Sequence, residues 1–496
     1  MSNVRVTYSG LISLLMSSLR IVTGFGFTFI LARLLLPDEL GTWKLILGLT
    51  SSMIFMNAMS SFWSTRDIAR GIDSGKTALS LTGGFSMVSI IIFLIAVLVT
   101  NDETNASDEI FYGIILIPFL FFYNLLFAIT YGYKPHLINV GQVLYGVTIV
   151  IVAVVLVYFL EMGLLGIIIS AAVAYLSAIC LFINATNGVI KNKINFKYLK
   201  KWFKNSWVTL YHKFNEFIFT FDALIFALIS GSVIGLAFMT VASGIGVLVG
   251  TASSMSVATY SKLLSSDNFG YLQDNMTRVL YFAFPMLAIV ILFAKEGLFV
   301  FNPIYVAVYP AVAFFALRTF FHMFGKIFSD WIVASEKVDI NYDSSVKDYL
   351  KSQLFHIPTV RTIRNGSYII SLALMLVLFA TDSSDVDLII FWSVLMVCVE
   401  VPFTVYFYFK VKRKYNVGIE WIRICKYGLT SIVSIGFSYY LASIYLVYEN
   451  SLFIFVPSLL LFVITGAIAY FGITYLIDTK TRELTKSIIK ELRKKI

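Results

Sequence analysis

Arg318, His322, Lys326 and Asp330 recur every four residues and so fall on one face of a helix. This polar ridge lies inside an apolar run, where a cation is costly unless it meets water or a partner. It is therefore expected to face the interior of a helix bundle. Two readings of its parts stand together. Lys326 and Asp330 can pair with each other near a membrane surface while Lys326 snorkels. Arg318 lies deeper, and with His322 it is expected to serve a cavity that binds substrate.

A second set of charges lies in two other apolar runs. Arg20 sits about halfway along the first, while His212, Lys213 and Glu216 open a later one that carries Asp222 about two turns deeper. His212 and Glu216 share a face at i, i+4, and Lys213 points about 100° away from His212. One reading is an intrahelical pair with a snorkelling lysine. The other is a basic residue from each half, Arg20 and Lys213, facing a shared cavity, with Glu216 and Asp222 available for ion or proton coupling. His136 and His356 lie between apolar runs and read as surface histidines.

Other motifs carry no chemistry. Gly71-Ile72-Asp73-Ser74-Gly75-Lys76-Thr77 resembles a phosphate loop but has three residues between its glycines where a Walker A motif has four, and it follows no strand. Gly244, Gly246 and Gly250 lie within an apolar run, where small residues let helices approach closely. The cysteines, Cys180, Cys398 and Cys425, are far apart in or beside apolar runs, which implies neither a disulfide framework nor a metal knuckle. No cofactor or metal is expected.

The elements that must position these charges are membrane spans. A helical crossing needs about 20 apolar residues. Stretches of that length fall at about 8–34, 41–63, 79–100, 110–131, 138–160, 164–184, 207–229, 233–257, 274–294, 306–333, 359–380, 386–409, 422–446 and 451–477. The expected fold is an all-α polytopic membrane protein of about 14 transmembrane helices. With the N-terminus inside, the cytoplasmic segments and adjoining helix ends hold about 31 of the 38 Lys and Arg. Arg33, Lys44 and Lys295 fall outside. This positive-inside asymmetry puts both termini in the cytoplasm of a cell (plasma) membrane protein.

Composition agrees. The chain is 59% hydrophobic and 13% charged, against roughly 45–50% and 25% in soluble domains. A net charge of +10 would suggest nucleic acid in a soluble chain. Here the excess lies in short loops and reads as topology plus attraction to anionic lipid headgroups. The first apolar stretch is too long for a cleavable signal, contains Arg20 and lacks a small-residue cleavage site. External connections are short, too short for a catalytic domain, so no enzyme is expected. One of them carries the sequon Asn105-Ala106-Ser107, which matters only in a host that glycosylates outside the cell. The connection Ala334–Pro358 has room for an amphipathic surface helix. The tail from Thr479 to Ile496 reads as a basic amphipathic helix with Leu484, Ile488, Ile489 and Leu492 on one face.

A faint internal repeat organises the chain. Leu40-Gly41-Thr42-Trp43 opens the second span and Ile234-Gly235-Leu236-Ala237 opens the eighth, and the same offset brings Arg20 beside Lys213. The expected division is an N-terminal six-helix lobe over 1–205, a C-terminal six-helix lobe over 206–415, helices 13 and 14 over 416–478, and the tail 479–496. Repeat-built membrane proteins of this kind are usually transporters with a site at the repeat interface.

The stretch Phe29-Ile30-Leu31-Ala32-Arg33-Leu34-Leu35-Leu36-Pro37-Asp38-Glu39-Leu40-Gly41-Thr42-Trp43 resembles the first hairpin of the polysaccharide-transporter (Wzx-type) flippases. These belong to the multidrug/oligosaccharidyl-lipid/polysaccharide (MOP) exporter superfamily, with the MATE antiporters and the lipid II flippase. Arg33, Pro37 and Gly41 carry the motif, and Ser230 to Gly235 resembles the same turn in the second half. The resemblance implies a V-shaped pair of lobes around a cationic cavity. It also implies transport of a polyprenyl- or dolichyl-(pyro)phosphate-linked oligosaccharide to the outer face, for cell-surface polysaccharide or glycoprotein glycan assembly. Its partners would be that substrate, membrane lipids, and glycan polymerase or oligosaccharyltransferase machinery, with no nucleic acid. Arg20 fits the interior arginine that receives the phosphate. Lys213, Arg318 and His322 match no fixed motif of the family.

Three other functions fit the residues less well. A MATE-like cation exporter should place acids rather than bases deep in its cavity and normally has twelve spans. A glycan polymerase or ligase usually carries large external loops. A scaffold has little reason to keep four cations (Arg20, Lys213, Arg318 and Lys326) inside its spans.

Overall fold

The computed structural model describes residues 6–101, 108–134, 137–191, 193–204, 206–256, 271–334, 350–416, 418, 420–449 and 451–483. The sequon Asn105–Ser107, His136, most of the polar connection after Ala334 and the tail positions Leu484, Ile488, Ile489 and Leu492 lie outside them, as does the side chain of His212.

Among the described residues all regular structure is helical. In hydrocarbon only a helix satisfies its own backbone within one segment. In chain order the helices are α1 (Val6–Leu34), α2 (Pro37–Met53), α3 (Ala58–Ala69), α4 (Gly75–Asn101), α5 (Leu116–Tyr133), α6 (Leu137–Ala153), α7 (Gly163–Ile190), α8 (Phe196–Lys204) and α9 (Ser206–Phe219). They continue as α10 (Asp222–Ser230), α11 (Ile234–Gly246), α12 (Tyr271–Leu292), α13 (Ala294–Phe301), α14 (Tyr309–Ala334), α15 (Gln353–Phe379), α16 (Asp385–Tyr415), α17 (Trp421–Tyr445) and α18 (Leu452–Ile477).

Eleven of the described helical segments are long and apolar enough to cross a membrane, so the chain is a multi-pass membrane protein. They coincide with eleven of the fourteen expected spans. The other three are helical too. α1 covers the first, with an apolar part at Val22–Leu34. The seventh divides at Thr220–Phe221 into α9 and α10. The thirteenth is α17, diluted by serine and tyrosine and packed on α18 through small groups: Ser438 Oγ donates to the Phe462 carbonyl, and Gly466 lies against Ser438.

The contacts form two compact units, residues 1–240 with 361–388, and residues 241–360 with 389–496. The divisions fall inside α11, α15 and α16. In the first unit, Met59, Leu125, Ile129 and Val189 pack with the buried Trp202 of α8. Trp202 Nε1 donates to Asp67 at 3.0 Å, which ties this amphipathic helix to the end of α3. In the second unit Phe324, Phe328, Trp331, Ile357 and Phe407 form the main core.

The motif hairpin owes its shape to three residues. Pro37 begins α2, where its missing N–H loses nothing. The Leu36 N–H donates to Glu39 Oε2 at 2.8 Å, and Glu39 Oε1 accepts from the Leu164 N–H at 3.3 Å. One carboxylate therefore caps α2 and holds the start of α7. Gly163, at φ +54°, lies against the same carboxylate. The second hairpin has a parallel tie: Ser232 Oγ donates to Asp385 Oδ2 at the start of α16 at 2.8 Å.

Candidate functional site

In the first unit, α1 and α6 pack so closely that a Cβ on Gly146 would strike Thr23. This crossing sets Arg20 beside Gln142, and the guanidinium donates to Gln142 Oε1 at 2.9 Å. Arg20 is exposed and lines a cavity of about 270 Å³ with Thr23, Phe27, Tyr123, Gln142 and Tyr145. Tyr123 and Tyr145 of this wall form a cluster with Tyr175, the Tyr145 and Tyr175 ring centroids being 4.8 Å apart. The neutral amide of Gln142 orients the arginine without cancelling its charge. Sequence reasoning missed Gln142 and the tyrosines. A lone glutamine between Gly141 and Gly146 in an apolar run is the one signal that could have drawn attention there.

Lys213 and Glu216 pair with each other at 2.7 Å, with side chains 52% and 64% exposed. This is an intrahelical pair in which Lys213 is the base. Asp222 is buried at the start of α10, where Oδ1 accepts from the Ala223 N–H at 2.7 Å and Oδ2 from the Tyr368 hydroxyl at 3.3 Å. Asn365, also on α15, donates to the Asn215 carbonyl. These bonds fasten the broken seventh span to α15.

In the second unit the upper half of the polar ridge finds a partner that sequence reasoning passed over. Glu400 of α16 lies opposite α14, with its Oε1 3.1 Å from His322 Nδ1 and its Oε2 4.0 Å from Arg318 Nε. The carboxylate is 6% exposed, whereas Arg318 is 21% and His322 36% exposed. The acid thus lies behind and the two bases in front. Gly325 makes the approach possible, since a Cβ there would press on Thr404 Oγ1 at 2.9 Å. Thr404 in turn donates to the Phe321 carbonyl at 2.9 Å. On another side, Gly246 and Gly250 admit α14 at Phe315 and Thr319, the close packing expected of those glycines.

The lower half of the ridge departs from expectation. Lys326 is exposed, and no ion pair joins it to Asp330 among the described residues. A shared face permits such a pair but does not force it when a long side chain can stay solvated. His356 departs as well. It lies in α15, half-buried, with Nε2 2.5 Å from the Tyr406 hydroxyl of α16.

A further charged cluster closes the end of the second unit beyond α18. Asp478 accepts from the Tyr427 hydroxyl at 2.8 Å and from the Thr481 N–H and hydroxyl, with Arg423 Nε 3.5 Å away. Burial alone would raise the Asp478 carboxyl, but these hydrogen bonds and Arg423 outweigh it and hold the group below the usual carboxylate range. Lys480 Nζ reaches Asp274 at 2.5 Å and Glu420 at 3.4 Å. Burial opposes its charge, yet the two acids raise its pKa above that of an ordinary lysine.

Solved structures of MOP-superfamily transporters share this fold. The lipid II flippase MurJ in an inward-closed conformation matches with a TM-score of 0.64 at 16% identity, over 94% of this chain and 100% of that one. An inward-facing multidrug-resistance MATE family transporter of the superfamily matches at 0.59 and 14%, over 81% and 98%. A MATE in complex with MaL6 matches at 0.51 and 14%, over 83% and 96%. At such identities the likeness is one of fold. No protein-family model and no curated protein matches the chain.

Proposed function

We propose that this chain is a flippase that carries a polyprenyl- or dolichyl-(pyro)phosphate-linked oligosaccharide from the cytoplasmic to the outer face of the cell membrane by alternating access. The observation that carries this reading is Arg20: a guanidinium on a cavity wall, held by the neutral Gln142 and so left with its charge to offer. A phosphate crossing a membrane needs a desolvated, charge-compensated path, and a guanidinium can bind it through two parallel hydrogen bonds. Arg318 and His322 are a second basic pair at mid-helix in the other unit. The substrate's lipid tail stays in the bilayer while its headgroup passes. In this reading both termini are cytoplasmic, residues 1–205 and 206–415 are the two repeat lobes, 416–478 adds helices 13 and 14, and glycan-assembly enzymes receive the product.

The nearest rival is export of an organic cation, favoured by the buried acids Asp222 and Glu400. Both acids are already engaged, Asp222 by an N–H and a hydroxyl and Glu400 by two bases. Reconstitution into liposomes decides between them. Protein-dependent movement of a short-chain prenyl-pyrophosphate-linked saccharide, with none of a lipophilic cation, supports the flippase; the reverse result contradicts it.

A further inference from the structure

The Arg20 cavity carries more on its wall than a phosphate alone would use. At about 270 Å³ it is smaller than the roughly 300–1,000 Å³ that encloses a drug-sized ligand, so it suits a small headgroup rather than a glycan chain. Gln142 gives its Oε1 to Arg20, and its amide N–H groups make no hydrogen bond among the described residues. Tyr123 lines the same wall within range of the Arg20 charge, and its hydroxyl likewise makes no hydrogen bond among the described residues. The ring that carries this hydroxyl is set in place by Tyr175, Tyr145 and Phe182, at centroid distances of 5.2, 5.8 and 6.0 Å. Phe27 and Tyr145 add aromatic surface to the wall.

One guanidinium, two unused polar groups and an aromatic wall fit a phosphate with a sugar attached. A sugar ring turns apolar C–H bonds to one side, which an aromatic ring accepts, and hydroxyls to the other, which need donors and acceptors. A prenyl tail against this wall would leave the Gln142 amide and the Tyr123 hydroxyl without partners, at a cost in free energy. We infer that Tyr123, Gln142 and Phe27 form, beside Arg20, a subsite for the one sugar bonded to the carrier's phosphate. The subsite deepens the flippase reading and rests on it for the identity of the carrier. Arg20 meets the phosphate, Tyr123 and Gln142 meet sugar hydroxyls, and Phe27 meets the apolar side of the ring. A site built to hydrogen-bond a hydroxyl discriminates against a ligand that lacks it. The cavity should therefore be strict about the sugar next to the phosphate and indifferent to the sugars beyond it.

The test is calorimetric binding of short-chain prenyl pyrophosphates to purified full-length protein. The lipids are a bare one, a set each bearing glucose, galactose, mannose or N-acetylglucosamine, and disaccharide forms that begin with the same sugars. Wild-type protein should bind at least one single-sugar lipid about tenfold more tightly than the bare lipid, with little further gain from a second sugar. Tyr123→Phe keeps the ring and removes only the hydroxyl, so the thermal midpoint should hold. Its gain from the sugar should fall about three- to tenfold, with affinity for the bare lipid unchanged. Phe27→Leu keeps an apolar wall without the ring and should lower the same gain. Arg20→Ala should weaken binding of every lipid, since each carries the phosphate. A merely structural Tyr123 predicts a lowered midpoint and equal losses for bare and sugar-bearing lipids. That result, a gain left intact in Tyr123→Phe, or no sugar-bearing lipid bound more tightly than the bare one would overturn the subsite, while transport by the wild type in liposomes would keep the flippase. A sugar-dependent gain in a protein that moves no lipid-linked saccharide would instead refute the flippase and keep the subsite.

Discussion

Gly41 of the first motif hairpin packs directly on the backbone of Val233 in the second: a Cβ added at Gly41 would overlap the Val233 carbonyl. The two short motifs that mark the internal repeat therefore touch each other. The same region brings α2 and α10 together, with Gly48 against Ala223. Small residues at such contacts let backbones approach where lipid offers no hydrophobic drive for association.

Gly41→Ala should destabilise the protein by about 1–3 kcal/mol, the usual result of forcing atoms into a filled contact. Because the obstacle is backbone rather than a flexible side chain, little relaxation is available. A lowered thermal midpoint in detergent checks this, and an unchanged midpoint would contradict the close approach.

The Asp478–Lys480 cluster predicts a pH window. The Asp478 carboxyl is held below its usual range, so its contribution is complete above about pH 4 and fades as pH falls through the folded value. Lys480 is held above its usual value, so its contribution is complete below about pH 10 and fades only at higher pH. Asp478→Asn should therefore cost stability evenly from about pH 5 to about pH 9, and the difference from wild type should shrink in acid. Thermal midpoints across that range test the sign. A difference from wild type that grows rather than shrinks as pH falls below about 5 would exclude an ionised Asp478 as its source.

The two acids of the seventh span should behave differently. Glu216 meets Lys213 in the open, and exposed pairs are worth about 0–1 kcal/mol, so Lys213→Ala should leave the thermal midpoint nearly unchanged. Asp222→Ala removes a buried acceptor from the Ala223 N–H and the Tyr368 hydroxyl and should destabilise by about 1–3 kcal/mol. Equal tolerance of both substitutions would show that Asp222 does not fasten α10 to α15.

Periodicity and charge made the helices legible, because a membrane span is a long, local signal. The hairpin motif was legible for the same reason: Pro37, Glu39 and Gly41 act within a few residues of each other, and Glu39 caps the helix it opens. The site was legible only in part. Arg20, Arg318 and His322 stood out as charges in apolar runs, yet their partners did not. Gln142 lies 122 residues from Arg20, and Glu400 lies 78 residues from His322. A lone polar residue acquires its meaning from the helix packed opposite, which spacing along one helix cannot reveal. Lys326 and Asp330 illustrate the converse, since their i, i+4 spacing put them on one face without making them a pair.

The central claim is that Arg20 offers its charge to a phosphate. The most direct measurement is transport of a prenyl-pyrophosphate-linked saccharide by Arg20→Ala and Arg20→Lys proteins in liposomes, at matched protein content and equal thermal stability. The alanine variant should lose nearly all activity, because a cavity cation is removed without disturbing a packed core. The lysine variant should recover only part of it, since a point charge does not reproduce the two-pronged guanidinium contact. Full transport by Arg20→Ala would contradict the account.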